Sequence, residues 1–458
     1  MKNRHAIILA AGKGTRMKSD LYKVLHQVAG KSMVEHVVDA VTEAGFEKII
    51  TIVGFGAEMV KEQLGERSSY CLQEEQLGTG HAVMQAEELL ADKEGVTLVI
   101  CGDTPLLTAE TLDRLVALHE EEQAKATVLT ANADNPSGYG RVIRDASGYV
   151  RNIVEEKDAN EAERAVQEIN TGTYVFDNQL LFEALHQVGN DNAQGEYYLP
   201  DVISILQAQG ERISAYQMDD LNESLGVNDR VALAKANQLF FKRNNEKHMR
   251  NGVTIIDPEN VYIEANVQIG PDTIIEPNVH IKGDTTIGSH VRLGSGTVVR
   301  DSQIDDYVEV RSSEIEQSHV SKHADVGPNA HLRPNSNIGE SVHIGNFVET
   351  KNATIGKETK VGHLTYIGDA ELGERINVSC GVIFANYDGV NKAKSVIGDD
   401  SFIGSNVNLV APVNVASQAF IAAGSTINKD VPSKAMGIAR ARQENKEDYW
   451  DKLPISKK

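Results

Sequence analysis

From residue 261 the sequence repeats every six residues. Ile263, Ile269, Ile275, Ile281, Ile287, Leu293 and Val299 are all aliphatic, and the residues two before them, Val261, Val267, Thr273, Val279, Thr285, Val291 and Thr297, are all β-branched. The pattern returns at Ile397, Ile403, Leu409, Val415, Ile421 and Ile427, preceded at the same distance by Ser395, Ser401, Val407, Val413, Ala419 and Ser425. Residues two apart share one face of a strand. Each hexapeptide therefore turns two side chains inward and then rounds a corner, which makes it one side of a parallel β-helix. Two unbroken runs that agree at both inward positions exclude chance spacing. At three hexapeptides per coil and about 4.8 Å between coils, residues 253–436 predict roughly ten coils and a prism about 50 Å long. Between Leu372-Gly373 and Ile397-Gly398 the aliphatic–glycine pairs stop. The stretch CGVIFANYDGVNKAKS is expected to leave the prism as a loop carrying Asn386, Tyr387 and Lys392, and interruptions of a solenoid tend to carry function.

The first half has a different period. Lys48–Val53 (KIITIV) and Val96–Cys101 (VTLVIC) are near-continuous apolar runs, as in strands of a sheet buried on both faces. Ser32-Met33-Val34-Glu35 is a capping box that opens a helix with apolar Val34, Val37, Val38 and Val41, stopped at Gly45. Further helices are expected over Gly80–Leu90 and Glu110–Gln123. The alternation predicts a doubly wound α/β domain over residues 1–228, with ligands at the carboxyl ends of its strands. YGRVIRDASGYVRNIVE predicts a hairpin around Ser147-Gly148, which makes the sheet mixed. Residues 229–251 hold neither proline nor glycine. They predict one helix, about 33 Å long at 1.5 Å per residue, as a rigid arm leading to the β-helix domain at residues 252–458.

The net charge is −21, from 45 basic and 66 acidic residues, and aromatics are few. Such a chain is a poor nucleic-acid ligand, so anionic substrates need local basic clusters. The longest early apolar run, Ala6–Ala11, is too short for a membrane span or a signal peptide. Cys71, Cys101 and Cys380 form neither a disulfide framework nor a zinc pattern, which places the chain in a reducing cytoplasm.

Against that acidic background the first strand, His5–Ala10, runs into AAGKGTRM. A glycine-rich turn after a buried strand points to phosphate. This one is neither the G-x-x-x-x-G-K-[ST] loop nor G-x-G-x-x-G, and its cations stand at Lys13, Arg16 and Lys23. The glycines let backbone N–H groups approach a nucleoside triphosphate. Cys101-Gly102-Asp103 ends a buried strand, where a carboxylate can hold magnesium between phosphates. Read alone, such an aspartate is as readily a turn or helix cap.

LAAGKGTRM followed by Lys23 resembles the sugar-nucleotide pyrophosphorylases, and the hexapeptides resemble the left-handed β-helix acyltransferases. With QLGTGHA, GYGR, EINTG, GVND, HLRPNS, VGHLTYIGD, FANYDG and IARARQ, the chain up to about Arg442 resembles the family of bacterial bifunctional N-acetylglucosamine-1-phosphate uridyltransferase / glucosamine-1-phosphate N-acetyltransferases. One departure is visible: Tyr22 stands where that family often has proline. The resemblance implies a Rossmann-like nucleotidyltransferase domain, a linker helix, and a left-handed β-helix with a C-terminal tail that assembles into a homotrimer with sites between neighbours. It implies UTP, acetyl-CoA and glucosamine-1-phosphate as substrates, magnesium as cofactor, and UDP-N-acetylglucosamine, a cell-wall precursor, as product.

The resemblance also distributes the site residues. Leu9, Ala10, Ala11 and Gly12 lie against the uridine nucleotide, with Arg16 and Lys23 at the phosphates. Gln73, Gly78 and Thr79 contact the base. Asp103 and Asn228 hold the metal, and Asn228 also touches the nucleotide. Gly140, Glu155 and Asn170 face the sugar. The nucleophile is a sugar phosphate, already ionised near neutral pH, so holding two anions in line and neutralising charge suffices. Acetylating an amine needs a base, and neutral histidine suits pH 7. Of His280, His290, His319, His323, His331, His343 and His363, the resemblance selects His363. Arg333, Lys351, Tyr366 and Asn377 map to glucosamine-1-phosphate. Cys380, Asn386, Tyr387, Ser405, Ala423 and Arg440 map to acetyl-CoA. Two other readings stay open here. One is a single-activity pyrophosphorylase whose β-helix is only a scaffold, which does not require His363 or Asn386-Tyr387. The other is a non-catalytic nucleotide sensor, which needs no Asp103–Asn228 pair.

Overall fold

A computed structural model describes residues 3–192 and 194–457. The chain divides into two compact units, Met1–Phe240 and Phe241–Lys458, and the division falls inside the helix Arg230–Arg250.

The first unit is built on a mixed sheet. Its strands run Ile213–Gln217, Ala126–Asn132, Glu168–Asp177, Val96–Cys101, Arg4–Ala10, Lys48–Val53, Ser69–Leu72. Glu168–Asp177 is antiparallel to both neighbours, and the other adjacent pairs are parallel. The apolar runs are continuous because alternate residues serve opposite faces: Ala6 and Ile8 pack in one core and Ile7 in another. The predicted hairpin pairs Arg141–Arg144 with Val150–Val154, and Gly148 turns it at φ +88°. The capping box forms as read, with Ser32 accepting from the Glu35 N–H at the head of Met33–Glu43.

The expected helix over Gly80–Leu90 is instead two short ones, Thr79–Met84 and Glu87–Leu90. The Gln85 side-chain amide donates to the His81 carbonyl at 2.9 Å, and the Gln85 backbone N–H turns to Ala82. A side chain has thus taken the helical acceptor. The third helix spans Ala109–Glu121.

The second unit is a stack of parallel coils. Every inward position named above is buried except Ile269, which is partly so. The inward hydroxyls serve the stack: Thr273 donates to the Gly288 carbonyl and accepts from the Val291 N–H, at 2.9 and 3.1 Å. One face alone carries eleven stacked strands from Thr254–Ile255 to Met436–Gly437. The stack also runs without interruption through residues 300–385, where the six-residue period is not continuous. There Ile304, Ile315, Val320 and Ile355 follow their predecessors at five residues and are still buried. Coils accordingly vary: Ile275 pairs with Leu293, Ile304 with Val320, and Val361 with Val378.

The corners have their own rule. Three residues before the inward aliphatics the backbone turns left-handed, at Asp272, Asn278, His290, Tyr307, His323, Asn335 and Leu364 among others, and Phe347 does the same before the inward Thr350. Asn and Asp take that conformation readily and bulky residues do not. The predicted loop is shorter than CGVIFANYDGVNKAKS. Ile383–Ala385 and Ser395–Ile397 remain strands of the stack, and only Asn386–Lys394 leaves it.

Candidate active sites

In the first unit, three strands end together. Leu9 is in register with Ile52 and Cys101, and the Gly102 N–H returns to the Leu9 carbonyl at 2.9 Å. Asp103 follows. Its carbonyl accepts from the Val227 N–H at 2.9 Å, which brings Asn228 to the same edge. Cations meet these oxygens there. The Lys23 ammonium donates to the Asp103 carboxylate and, at 2.9 Å, to Asn228 Oδ1; Arg16 Nη2 donates to the same Oδ1 at 3.0 Å. The Lys23 stem lies against Gly14, which is left-handed at φ +62° and has no room for a Cβ. Lys13 and Gly12 are exposed on the rim. The Gln76 amide donates to the Ala11 carbonyl at 2.9 Å, a tie the sequence reading missed.

Asp103 and Asn228 present hard oxygen donors that already converge on one cation, so the pair fits magnesium chemically. Gln73 is buried, with its amide nitrogen on the Gly78 carbonyl at 3.1 Å and near His81. Thr79 Oγ1 accepts from the Leu199 N–H at 3.1 Å. Beside them opens a cavity of about 440 Å³ lined by Leu9, Thr79, Cys101, Glu155, Asn170 and Tyr174 among others. Gly140 packs behind two of the lining residues: its carbonyl accepts from the Asn170 N–H at 2.9 Å, and a Cβ there would stand 3.1 Å from Glu155 Oε1. Burial raises the Glu155 carboxyl above its ordinary range, with Asp158 and Asp201 adding like charge. Arg141, fully buried, pairs with Glu156 at 2.6 Å and donates to the Tyr139 carbonyl, which fixes the turn before Gly140.

In the second unit, residues far apart in sequence fall into one column. The His363 carbonyl accepts from Gly381 N–H, the Cys380 carbonyl from Asn406 and the Ser405 carbonyl from Gly424, at 3.1, 2.8 and 2.8 Å. His363, Cys380, Ser405 and Ala423 thus occupy equivalent places on successive coils, and the Arg440 stem reaches Gly424. Asn346 stands one coil before His363, with its Oδ1 on His363 Nδ1. On the face beyond this corner, Glu349 is in register with Tyr366 and Lys351 with Gly368, and Arg333 Nη1 pairs with Glu349 at 2.7 Å. Tyr366 and Asn386 both lie over Gly368, and Asp369 accepts from the Asn386 amide. Asn377 stands apart from these, in register with Lys360 on the strand face before the corner. Tyr387 is exposed on the loop. Asn346, Glu349 and Asp369 were missed; each precedes the residue it holds, or follows it, by one coil.

This pairing of a nucleotidyltransferase sheet edge with a hexapeptide prism defines a two-domain transferase. The nucleotidyl transferase family matches residues 5–229, and the bacterial transferase hexapeptide (six repeats) family matches residues 266–301, the repeat from which left-handed β-helices are built. The bifunctional protein GlmU of Latilactobacillus sakei subsp. sakei (strain 23K) is 60% identical over 457 residues, covering 100% of this chain and 99% of that protein. The proteins of the same name from Halalkalibacterium halodurans and Listeria welshimeri serovar 6b are 60% and 58% identical, with 99% of both partners covered in each case. The chain belongs to the bifunctional GlmU family. It is an enzyme with acetyltransferase and uridyltransferase activities in UDP-N-acetylglucosamine synthesis.

Proposed function

We propose that the two activities divide between the two sites, acetyl transfer at the His363 column and uridylyl transfer at the Asp103 edge. In the first step His363 Nε2 takes a proton from the amine of glucosamine-1-phosphate as the nitrogen attacks the thioester carbonyl of acetyl-CoA and the thiolate leaves. Arg333 and Lys351 hold the sugar phosphate, and Tyr366 and Asn377 the sugar. Asn386, Tyr387, Cys380, Ser405, Ala423 and Arg440 hold acetyl-CoA. Asn377 lies on the strand face before the corner, while Lys351 lies on the face beyond it, which supports a site completed by a neighbouring copy and hence a homotrimer.

In the second step the phosphate oxygen of N-acetylglucosamine-1-phosphate attacks the α-phosphorus of UTP and pyrophosphate leaves. Leu9–Gly12, Gln73, Gly78 and Thr79 bind the uridine nucleotide; Gly140, Glu155 and Asn170 bind the sugar. Lys23 and Arg16 neutralise phosphate charge and hold the two anions in line. Asp103 and Asn228 would hold magnesium, which supplies further charge neutralisation at the phosphates. The three cysteines are free, in keeping with a cytoplasmic enzyme, and among the described residues no helix is long and apolar enough to cross a membrane.

The observation that carries this reading is the His363 column with its Asn346 partner, an arrangement a bare scaffold does not require. His363→Ala is the test. Acetyl transfer should fall about 10²–10⁴-fold, the scale of a positioned general base, while uridylyl transfer from supplied N-acetylglucosamine-1-phosphate continues. Near-wild-type acetylation would assign the base elsewhere.

A further inference from the structure

Tyr22 lies immediately before Lys23 and is 5% exposed. Its hydroxyl donates a 2.6 Å hydrogen bond to the carbonyl of Ala10, the last residue of the first strand. Its ring lies over Gly56, where a Cβ would stand 2.5 Å from the ring Cγ, so position 56 is shaped around it. Its own carbonyl opens the short turn Lys23–Leu25 by accepting from the Leu25 N–H at 3.0 Å. Burial pushes the phenol far above its ordinary range, so it remains a donor at any working pH. One buried side chain thus joins the end of the nucleotide strand, the 54–56 turn and the turn that carries Lys23. Phenylalanine would fill the same volume. Only the hydroxyl ties the Lys23 turn to the Ala10 carbonyl.

We propose that Tyr22 is a positioning residue for uridylyl transfer: its bond to the Ala10 carbonyl sets the Lys23 ammonium in register with the glycine-rich turn. This rests on the reading of Lys23 as the phosphate-side cation. Displacements well below an ångström matter at such a site, since a misplacement of about 1 Å can cost 10²-fold in rate.

The test is a double-mutant cycle on the full-length enzyme with Tyr22→Phe, Lys23→Ala and the pair, assayed with UTP, N-acetylglucosamine-1-phosphate and magnesium. Acetyl transfer and thermal melting serve as controls for folding. Tyr22→Phe should lower uridylyl kcat roughly tenfold with the KM for UTP within about twofold, and leave acetyl transfer unchanged. In the Lys23→Ala background the same change should cost less than about twofold, because residues that act through one another are non-additive. Wild-type kcat in Tyr22→Phe, or losses that multiply in full, would overturn the proposal and make Tyr22 a packing residue. Wild-type turnover by Lys23→Ala would instead overturn the reading of the phosphate site itself, and the proposal with it.

Discussion

Asn346 and His363 meet across one coil of the β-helix, Oδ1 against Nδ1. An amide oxygen only accepts, so the ring proton sits on Nδ1 and the Nε2 lone pair is free to act as base. Asn346→Ala releases that choice and should lower acetyl transfer about tenfold or more, since a mis-set tautomer disables a catalytic histidine. Asn346→Asp is the sharper probe. A carboxylate beside the ring favours the imidazolium, so the acidic limb of the acetyl-transfer profile should move to higher pH by roughly one unit or more. An unmoved profile at wild-type rate would remove Asn346 from the mechanism.

Asp103 and Asn228 are 125 residues apart in sequence, yet both bond the Lys23 ammonium. Asp103→Ala should reduce magnesium-dependent uridylyl transfer by roughly 10²–10³-fold, the scale on which one transition-state charge contact acts, and leave acetylation intact. Titration of magnesium against rate and direct binding of the metal in the presence of UTP would check it. Undiminished turnover with an unchanged magnesium requirement would place the metal elsewhere.

The prism was legible because two inward positions per hexapeptide are an energetic requirement, and Ile281 or Leu409 cannot be exchanged for a polar residue without opening the core. Its middle was not legible. At Ile304 and Val320 the spacing contracts to five residues, so periodicity is lost although burial continues. The partners of site residues were hidden for a related reason. Asn346 and Asp369 stand one coil, 17 residues, from His363 and Asn386, a separation that has meaning only once coil length is known. In the first unit Asp103 could be read from its strand end, whereas Glu155 and Asn170 came only from family resemblance, because a sugar pocket has no local period. Tyr22 was visible as a departure from a pattern. Its bond to Ala10 was not.

Glu155 links stability to the proposed sugar site. Its pKa is raised, first by burial and then by Asp158 and Asp201, so the folded chain binds that proton more tightly than the unfolded chain. The resulting stability is present below the unfolded value near 4.5 and is lost as pH rises through the folded value. Glu155→Gln removes the titration. The variant should therefore melt above wild type near neutrality, with the gap closing toward pH 4, while losing a charged acceptor and raising the KM for N-acetylglucosamine-1-phosphate roughly tenfold. A melting difference that does not depend on pH would show that Glu155 ionises in the fold without strain.

The cap of the β-helix comes from the helix before it. Asn245, fully buried, donates to the carbonyls of Pro258 and Val261 at 2.8 and 2.9 Å, and Asn244 donates to that of Ile263 at 2.9 Å. Phe241 packs edge-on against Tyr262, with ring centroids 5.4 Å apart. These groups bind the backbone at Val261 and Ile263 in the first coil, and a solenoid end needs such a cover to keep its core dry and its carbonyls paired. A fragment of residues 252–458 lacks it; one of residues 230–458 keeps it. Both should fold and acetylate, because the whole stack, with its eleven strands on one face, remains. The shorter should melt roughly 5 °C or more below the longer, given about 0.5–1.5 kcal/mol for each hydrogen bond lost together with the apolar surface that Phe241 covers. Hydrogen exchange should localise the loss to residues 253–263, and Asn245→Ala in the longer fragment should reproduce part of it. Equal melting temperatures with equal protection at Val261 and Ile263 would mean that the first coil needs no cap from the helix.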